Sequence, residues 1–138
     1  QNKTSILYGS GEIKLLKKNI NLFTLLARPN SGCSTKAIYR DVKYFSRPVF
    51  KKNQRVNLNY KFLLKLKNDL EKPAFKKYPV LKKLKIFMEK MDDTLFVRMT
   101  GSGSTIIGYF ISKKAAFNAK KILKKKYQKY WCILSKTI

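Results

Sequence analysis

The residues best suited to binding a ligand lie in an uncharged run, MTGSGSTIIGYF, at positions 99–110. Gly101 and Gly103 let backbone N–H groups come close to an anion, because neither residue has a side chain to block the approach. Ser102, Ser104 and Thr105 add hydroxyl groups that form hydrogen bonds without adding charge. The pattern predicts either an anion-binding loop at residues 101–105 or a flexible hairpin turn between two strands.

This glycine loop (residues 101–105) matches neither of two common nucleotide-binding motifs. The chain has no G-x-x-x-x-G-K-[ST] segment, which is the Walker A motif. Gly101 and Gly103 also do not complete the Rossmann pattern G-x-G-x-x-G, because its third glycine is missing and no predicted helix follows. The sequence has no histidine and two cysteines, which excludes Ser-His-Asp and Cys-His catalysis and argues against a zinc site. Because the chain also has only seven acidic residues, no catalytic residue and no metal site are predicted.

Two further segments place polar residues near the ends of predicted helices. In SGCSTKAIYRDV (31–42), Ser34 or Thr35 is the expected helix N-cap. The run Asn68–Glu71 is expected at the C-terminal end of a helix that Pro73 stops, where negative charge is unfavourable unless it is compensated. Two interpretations of this run stay open: hydrogen bonds that organise the turn before Pro73, or a contact to the glycine loop or to a partner domain.

The hydrophobic periodicity predicts an α+β domain that holds these segments in place. Strands are expected at 21–29, 94–100, 106–112 and 130–138, with a short strand near 12–16. Helices are expected from Ser34 or Thr35, from Asn57 to Pro73, from Pro79, and after Ser112. Without the inserted helical pair, this order is the split βαβ, or ferredoxin-like, arrangement: an antiparallel sheet with helices on one face.

The composition fits one domain over residues 1–138 and leaves one alternative function open. The 32 basic and seven acidic residues give a net charge of +25, which suggests a small basic nucleic-acid-binding module. Lysine far outnumbers arginine, however, and abundant Lys, Asn and Ile indicate compositional drift instead. Tyr109, Phe110 and Trp131 are expected to pack the sheet against its helices, with base stacking as the alternative. No apolar run is long enough to span a membrane.

Several stretches resemble the GHMP kinases, a superfamily that includes galactokinase, homoserine kinase and mevalonate kinase. MTGSGST followed by an apolar strand resembles the third signature motif of that family. NDLEKPAFKKYPVLKKLK (68–85) is similar to the corresponding region of the 4-diphosphocytidyl-2-C-methyl-D-erythritol kinases within the superfamily. GSGEIKLL, ARPNSGCSTKAIY and YWCILSKT also resemble those kinases, in matching order, so the resemblance covers nearly the whole chain.

The resemblance implies a fold and a set of ligand contacts. It implies a ferredoxin-like C-terminal domain that forms one wall of an active-site cleft. Gly101, Ser102, Gly103, Ser104 and Thr105 would then face the bound phosphates and substrate, and Cys33, Ser34 and Thr35 would line the pocket near the cytidine end of the substrate. The implied reaction is ATP-dependent phosphorylation, with Mg²⁺, of the 2-hydroxyl of 4-diphosphocytidyl-2-C-methyl-D-erythritol, in non-mevalonate isoprenoid biosynthesis.

The resemblance also implies parts that this sequence does not contain. Family members have an N-terminal half with a catalytic lysine, a P-x-x-x-G-L-G-S-S-A-type loop for ATP, and an aspartate base. None of these motifs occurs here, and the chain begins with Gln1 rather than methionine. The expectation is therefore an inactive C-terminal fragment, with no tightly bound cofactor, whose partner is its own ATP-binding domain. A cytoplasmic location in a bacterium, or a plastid, is expected, with no specific nucleic-acid or membrane partner; another GHMP kinase is the alternative identity.

Overall fold

The computed structural model of the protein describes residues 5–8, 12–15, 20–49 and 59–137. Its main feature is a four-stranded antiparallel sheet in the order β4-β5-β3-β6. These strands are β3 (Phe23–Arg28), β4 (Thr94–Met99), β5 (Ile106–Phe110) and β6 (Trp131–Lys136). A separate antiparallel pair is formed by β1 (Ser5–Tyr8) and β2 (Glu12–Leu15). The predicted short strand near 12–16 is therefore present, and its partner was not anticipated.

The sheet order confirms the split βαβ prediction. When the four main strands are numbered one to four along the chain, their spatial order is two, three, one, four. β5 therefore lies between β3 and β4, the two strands that the first crossover connects, and this is the arrangement expected for a ferredoxin-like domain. In this order the turn between β4 and β5, which contains the glycine loop, lies at one end of a paired hairpin.

Five helices accompany the sheet in the described ranges. They are α1 (Thr35–Arg40), α2 (Tyr60–Leu63), α3 (Glu71–Lys77), α4 (Pro79–Glu89) and α5 (Lys113–Lys126). Side-chain oxygens of Ser34, Asn59 and Ser112 accept hydrogen bonds from the first turns of α1, α2 and α5, as N-caps do. Pro79 begins α4, where the missing N–H is not needed.

The core lies between one face of the sheet and the longer helices. Leu81, Leu84 and Met88 of α4 and Leu123 of α5 are completely buried, and Ala116 and Ala119 of α5 are nearly so. They pack with alternate residues of the inner strands, among them Leu25, Ala27, Ile106 and Phe110. In both helices these residues recur at intervals of three and four positions, which is the apolar stripe of an amphipathic helix, and this stripe is the buried face.

The opposite face of the sheet carries aromatic residues. Phe96 and Tyr109 stack there with ring centroids 4.3 Å apart, and Arg28 lies over Trp131 at 5.5 Å. Trp131 is 44% exposed, whereas its neighbour Cys132 packs against the core. The expectation that these aromatics pack the sheet against its helices was right for Phe110 and wrong for Tyr109 and Trp131, because successive residues of a strand face opposite sides.

The helix expected from Asn57 to Pro73 is not present as one element. Asn57 lies outside the described residues, and α2 ends at Leu63. Pro73 does not stop a helix; it is the third residue of α3. The first-turn N–H groups of a helix have no intrahelical acceptor, so a proline there breaks no hydrogen bond. The sequence predicted one helix because Phe62, Leu66 and Leu70 recur every four residues, and such a repeat cannot distinguish one long helix from two short ones separated by a turn.

Candidate functional site

The glycine loop is a closed turn between β4 and β5. The Thr100 N–H donates to the Thr105 carbonyl at 3.0 Å, and the Gly103 N–H donates to the Thr100 carbonyl at 2.9 Å. Gly101 has a φ of +50° and Gly103 a φ of +90°. L side chains rarely adopt a φ of +90°, so a glycine is required at position 103 for the loop to close in this form.

The loop leaves hydrogen-bonding groups available for a ligand. Within the described residues, the N–H groups of Ser102 and Ser104 have no hydrogen-bond acceptor. Ser104 is only 9% exposed, and its hydroxyl has no hydrogen-bond partner among the residues that the structure describes. Buried polar groups are normally paired, so an unpaired donor at a turn is a group that a bound anion can satisfy. The loop carries no charged side chain of its own.

The structure brings the two predicted binding segments together. The hydroxyls of Thr35 and Ser102 are hydrogen-bonded at 2.8 Å, although 67 residues separate them. The Cys33 sulfur lies 3.4 Å from the position that a β-carbon on Gly103 would occupy. Residues 33–35 and the glycine loop therefore form one continuous surface. Their contact with a ligand stays a prediction.

Local hydrogen bonds explain how residues 33–35 are held at this surface. Ser34 is the N-cap of α1, and its hydroxyl accepts from the Ala37 N–H at 3.3 Å. The Ser34 N–H donates to the Tyr78 hydroxyl at 3.0 Å, which ties the start of α1 to the junction of α3 and α4. Burial raises the pKa of the Cys33 thiol above its ordinary value, so the group is a neutral thiol at neutral pH.

The run Asn68–Glu71 lies at the N-terminal end of α3, not at the C-terminal end of a helix as predicted. Negative charge is favourable there, because the helix dipole places partial positive charge at the N-terminus. Both interpretations that the sequence left open hold in part. Asn68 accepts from the Leu70 N–H at 3.0 Å, which organises the turn. The Asn68 amide also donates to the Gly101 carbonyl at 2.8 Å, which is a contact to the glycine loop.

One member of this network was not identified from the sequence. The Lys85 amine on α4 lies 2.7 Å from Glu71, in an ion pair whose side chains are 19% and 15% exposed. In a chain with 32 basic residues, nothing in the spacing distinguishes Lys85 from the other lysines. No group of three acidic, histidine or cysteine side chains is brought together as a metal site in the described ranges.

Residues 50–129 match the family model described as the GHMP kinases C-terminal domain. This range includes the glycine loop and all of α3, α4 and α5. The chain belongs to the GHMP kinase family.

Two curated relatives of this GHMP kinase domain have the same kinase name. The chain is 48% identical over 134 residues to the 4-diphosphocytidyl-2-C-methyl-D-erythritol kinase of Pelagibacter ubique, covering 97% of this chain and 48% of that protein. It is 32% identical over 143 residues to the kinase of the same name from Clostridium perfringens, covering 98% and 49%. The chain thus spans about half the length of the curated relatives that it matches.

Solved structures support the same fold. A crystal structure of 4-(cytidine 5'-diphospho)-2C-methyl-D-erythritol kinase matches with a TM-score of 0.65 and 26% identity, over 91% of this chain and 47% of that one. A homoserine kinase from Cytophaga hutchinsonii matches with a TM-score of 0.60 and 14% identity, over 91% and 45%. The second likeness shows the fold alone. No helix in the described residues is long and apolar enough to cross a membrane.

Proposed function

We propose that this GHMP kinase domain is the C-terminal half of a 4-diphosphocytidyl-2-C-methyl-D-erythritol kinase. In this proposal residues 101–105 and 33–35 form one wall of the active-site cleft. The observation that carries the proposal is the surface on which both segments meet at the Thr35–Ser102 hydrogen bond. The 48% identity to the Pelagibacter ubique kinase supports this substrate over that of another GHMP kinase.

The proposed role of this chain is to position phosphate groups rather than to transfer protons. The free N–H groups of Ser102 and Ser104, with the Ser104 and Thr105 hydroxyls, would donate to phosphate oxygens without holding them by charge. Phosphoryl transfer depends mainly on such positioning and on electrostatic stabilisation. Glu71 is neutralised by Lys85 and bonded to the backbone, so it is not proposed as a base.

The remaining parts of the reaction are assigned outside this chain. ATP, when bound with Mg²⁺, would supply the transferred phosphoryl group. The groups of this domain that we propose to contact the ATP phosphates are the hydrogen-bond donors of the glycine loop. No described residues form a metal site, so none is assigned to Mg²⁺. We propose that an N-terminal ATP-binding half is the partner, that the 138-residue chain alone is inactive, and that the protein is cytoplasmic in a bacterium.

The test is an assay of the complete product of the gene that encodes this chain. ATP-dependent phosphorylation of 4-diphosphocytidyl-2-C-methyl-D-erythritol is expected from the complete protein and not from residues 1–138 alone. Activity on homoserine or mevalonate instead would identify a different GHMP kinase. Kinase activity of residues 1–138 alone would overturn the proposed division of labour.

The aromatic residues on the sheet face opposite the core raise one alternative function, the nucleic-acid-binding module that the composition left open. It displays the Phe96–Tyr109 stack and the exposed Trp131 in a chain with a net charge of +25. Aromatic residues on a sheet and basic charge are features of single-strand binders. We propose that no specific nucleic acid binds here, and expect any affinity for single-stranded RNA to vanish near physiological salt. Salt-resistant binding lost on Trp131→Ala would favour the nucleic-acid function.

A further inference from the structure

Two side chains of the Asn68–Glu71 run hold the backbone where β4 leads into the glycine loop. The Asn68 amide nitrogen donates to the Met99 carbonyl at 2.9 Å and to the Gly101 carbonyl at 2.8 Å. Glu71 accepts from the Met99 N–H at 2.8 Å. Three backbone groups within three residues are thus fixed by side chains that lie about thirty positions earlier in the chain.

Each of these two side chains is itself held by a second contact. The Asn68 oxygen accepts from the Leu70 N–H at 3.0 Å, which sets the orientation of the amide and leaves both of its hydrogens for the loop. The second carboxylate oxygen of Glu71 receives the Lys85 amine at 2.7 Å. Because Glu71 also lies in the first turn of α3, its charge is stabilised from two sides.

We propose that Asn68 and Glu71 are positioning residues for the glycine loop, with Lys85 holding Glu71 in place. This inference rests on the proposed function and adds to it the residues that control the loop's geometry. Their proposed action is on the backbone of the loop and not on the substrate or the nucleotide. They fix Met99 and Gly101, and the donors of Ser102 and Ser104 follow within a few residues. A displacement of about 1 Å in such a site can reduce turnover about 100-fold.

The sharpest variant is Asn68→Asp, tested in the complete protein. It keeps the shape of the side chain and the acceptor for Leu70, but replaces the amide donor with an oxygen that faces two carbonyls. The matched control is Asn59→Asp, because the Asn59 side chain acts as an acceptor in the N-cap of α2, and aspartate does this equally well. Both changes add one negative charge, so a difference between them reports on the lost donor.

Glu71 is tested by two substitutions that are compared with a control at Glu89. Glu71→Ala removes both contacts, whereas Glu71→Gln keeps an oxygen for the Met99 N–H and loses the charge that pairs with Lys85. Glu89→Gln is the control, because Glu89 is 3.7 Å from the same amine and is not bonded to the loop. Positioning predicts a kcat for Glu71→Gln between those of Glu71→Ala and the wild type, because the oxygen for the Met99 N–H remains and the contact with Lys85 is lost.

The readout is kcat at temperatures well below each variant's Tm, with KM measured in parallel. We expect kcat to fall about 10- to 100-fold for Asn68→Asp and Glu71→Ala, and to stay at the wild-type value for both controls. If the variants lower Tm but keep wild-type kcat when folded, the two residues serve stability alone and the proposal is overturned.

A second measurement separates this proposal from the proposed function. If the wild-type complete protein does not phosphorylate the substrate, the proposed function fails, and amide hydrogen exchange then decides on positioning. The Thr100 and Gly103 N–H groups are bonded within the loop, so their exchange rates report whether it stays closed. Faster exchange in Asn68→Asp than in Asn59→Asp supports the proposal, and equal rates overturn it.

Discussion

Replacing Gly103 with alanine is the most direct test of the loop conformation. A β-carbon at this position would lie 3.1 Å from the Met99 sulfur, and 3.4 Å from both the Cys33 sulfur and a Leu81 methyl carbon. The residue also has a φ of +90°, which L residues rarely adopt. The backbone strain costs about 1–3 kcal/mol. Crowding of the core adds about 1–3 kcal/mol.

Part of this cost is offset in the unfolded state. Alanine has fewer unfolded conformations than glycine, which returns about 0.4–1 kcal/mol. The net expectation for Gly103→Ala is a loss of about 1–5.5 kcal/mol in the free energy of unfolding. For a domain of this size each kcal/mol corresponds to about 3–5 °C in Tm. Urea unfolding followed by circular dichroism measures the change directly, provided that the m value is the same for both proteins.

Two other glycines supply the controls. Gly101 has a φ of +50° with no atom within 4 Å of its missing β-carbon, so Gly101→Ala should cost about 0–1.5 kcal/mol. Gly32 has open space and no positive φ, and Gly32→Ala should be neutral or stabilise by about 0.4–1 kcal/mol. If Gly103→Ala is as stable as Gly101→Ala, the loop does not have the conformation described, and the reasoning from it fails.

Three further outcomes follow from contacts around the site and the sheet. A double-mutant cycle of Thr35→Ala and Ser102→Ala should give a coupling of about 0.5–1 kcal/mol in urea unfolding, and additive effects would contradict the hydrogen bond between them. The rate at which iodoacetamide alkylates Cys33 should still increase above pH 9, because burial raises the pKa of the thiol. Mass spectrometry measures this rate, with Cys33→Ser as the control, and a rate that reaches a plateau below pH 9 would refute the prediction. Burial also raises the pKa of Tyr109, so the folded state favours the neutral phenol, and this stability is present below about pH 10 and lost as pH rises further. The unfolding free energy of Tyr109→Phe should therefore fall less steeply above pH 10 than that of the wild type, and parallel curves would show that the phenol makes no such contribution.

The parts of the fold that depend on local sequence patterns could be predicted from the sequence. The strands around the glycine loop follow from the alternation of apolar and polar residues. The N-caps at Ser34 and Ser112 follow because a serine hydroxyl accepts a hydrogen bond from a backbone N–H in the first turn of a helix. The order of the sheet followed from the order of the elements, because few topologies satisfy the connection rules. The glycine loop was identified by composition, which reflects its positive φ values at Gly101 and Gly103.

The parts that could not be predicted depend on contacts between distant residues. The break between α2 and α3 leaves no local signal, since Leu66 and Leu70 continue the four-residue repeat of the helix before it. The role of Glu71 depends on a backbone N–H 28 residues away. The hydrogen bond between Thr35 and Ser102 likewise exists only because the sheet and α1 bring the two segments together.

The sheet order also has a consequence for how the chain folds during synthesis. The inner strand β3 pairs on one side with β5 and on the other with β6, whose residues lie more than a hundred positions later. Until residues 131–136 have been synthesised, one edge of β3 has no partner strand. The apolar residues of β3 that are buried in the folded domain, such as Leu25 and Ala27, are then less well covered. Such an edge can pair with another nascent or unfolded chain. Slow translation just before β6 would therefore prolong the period in which this domain is most prone to aggregate.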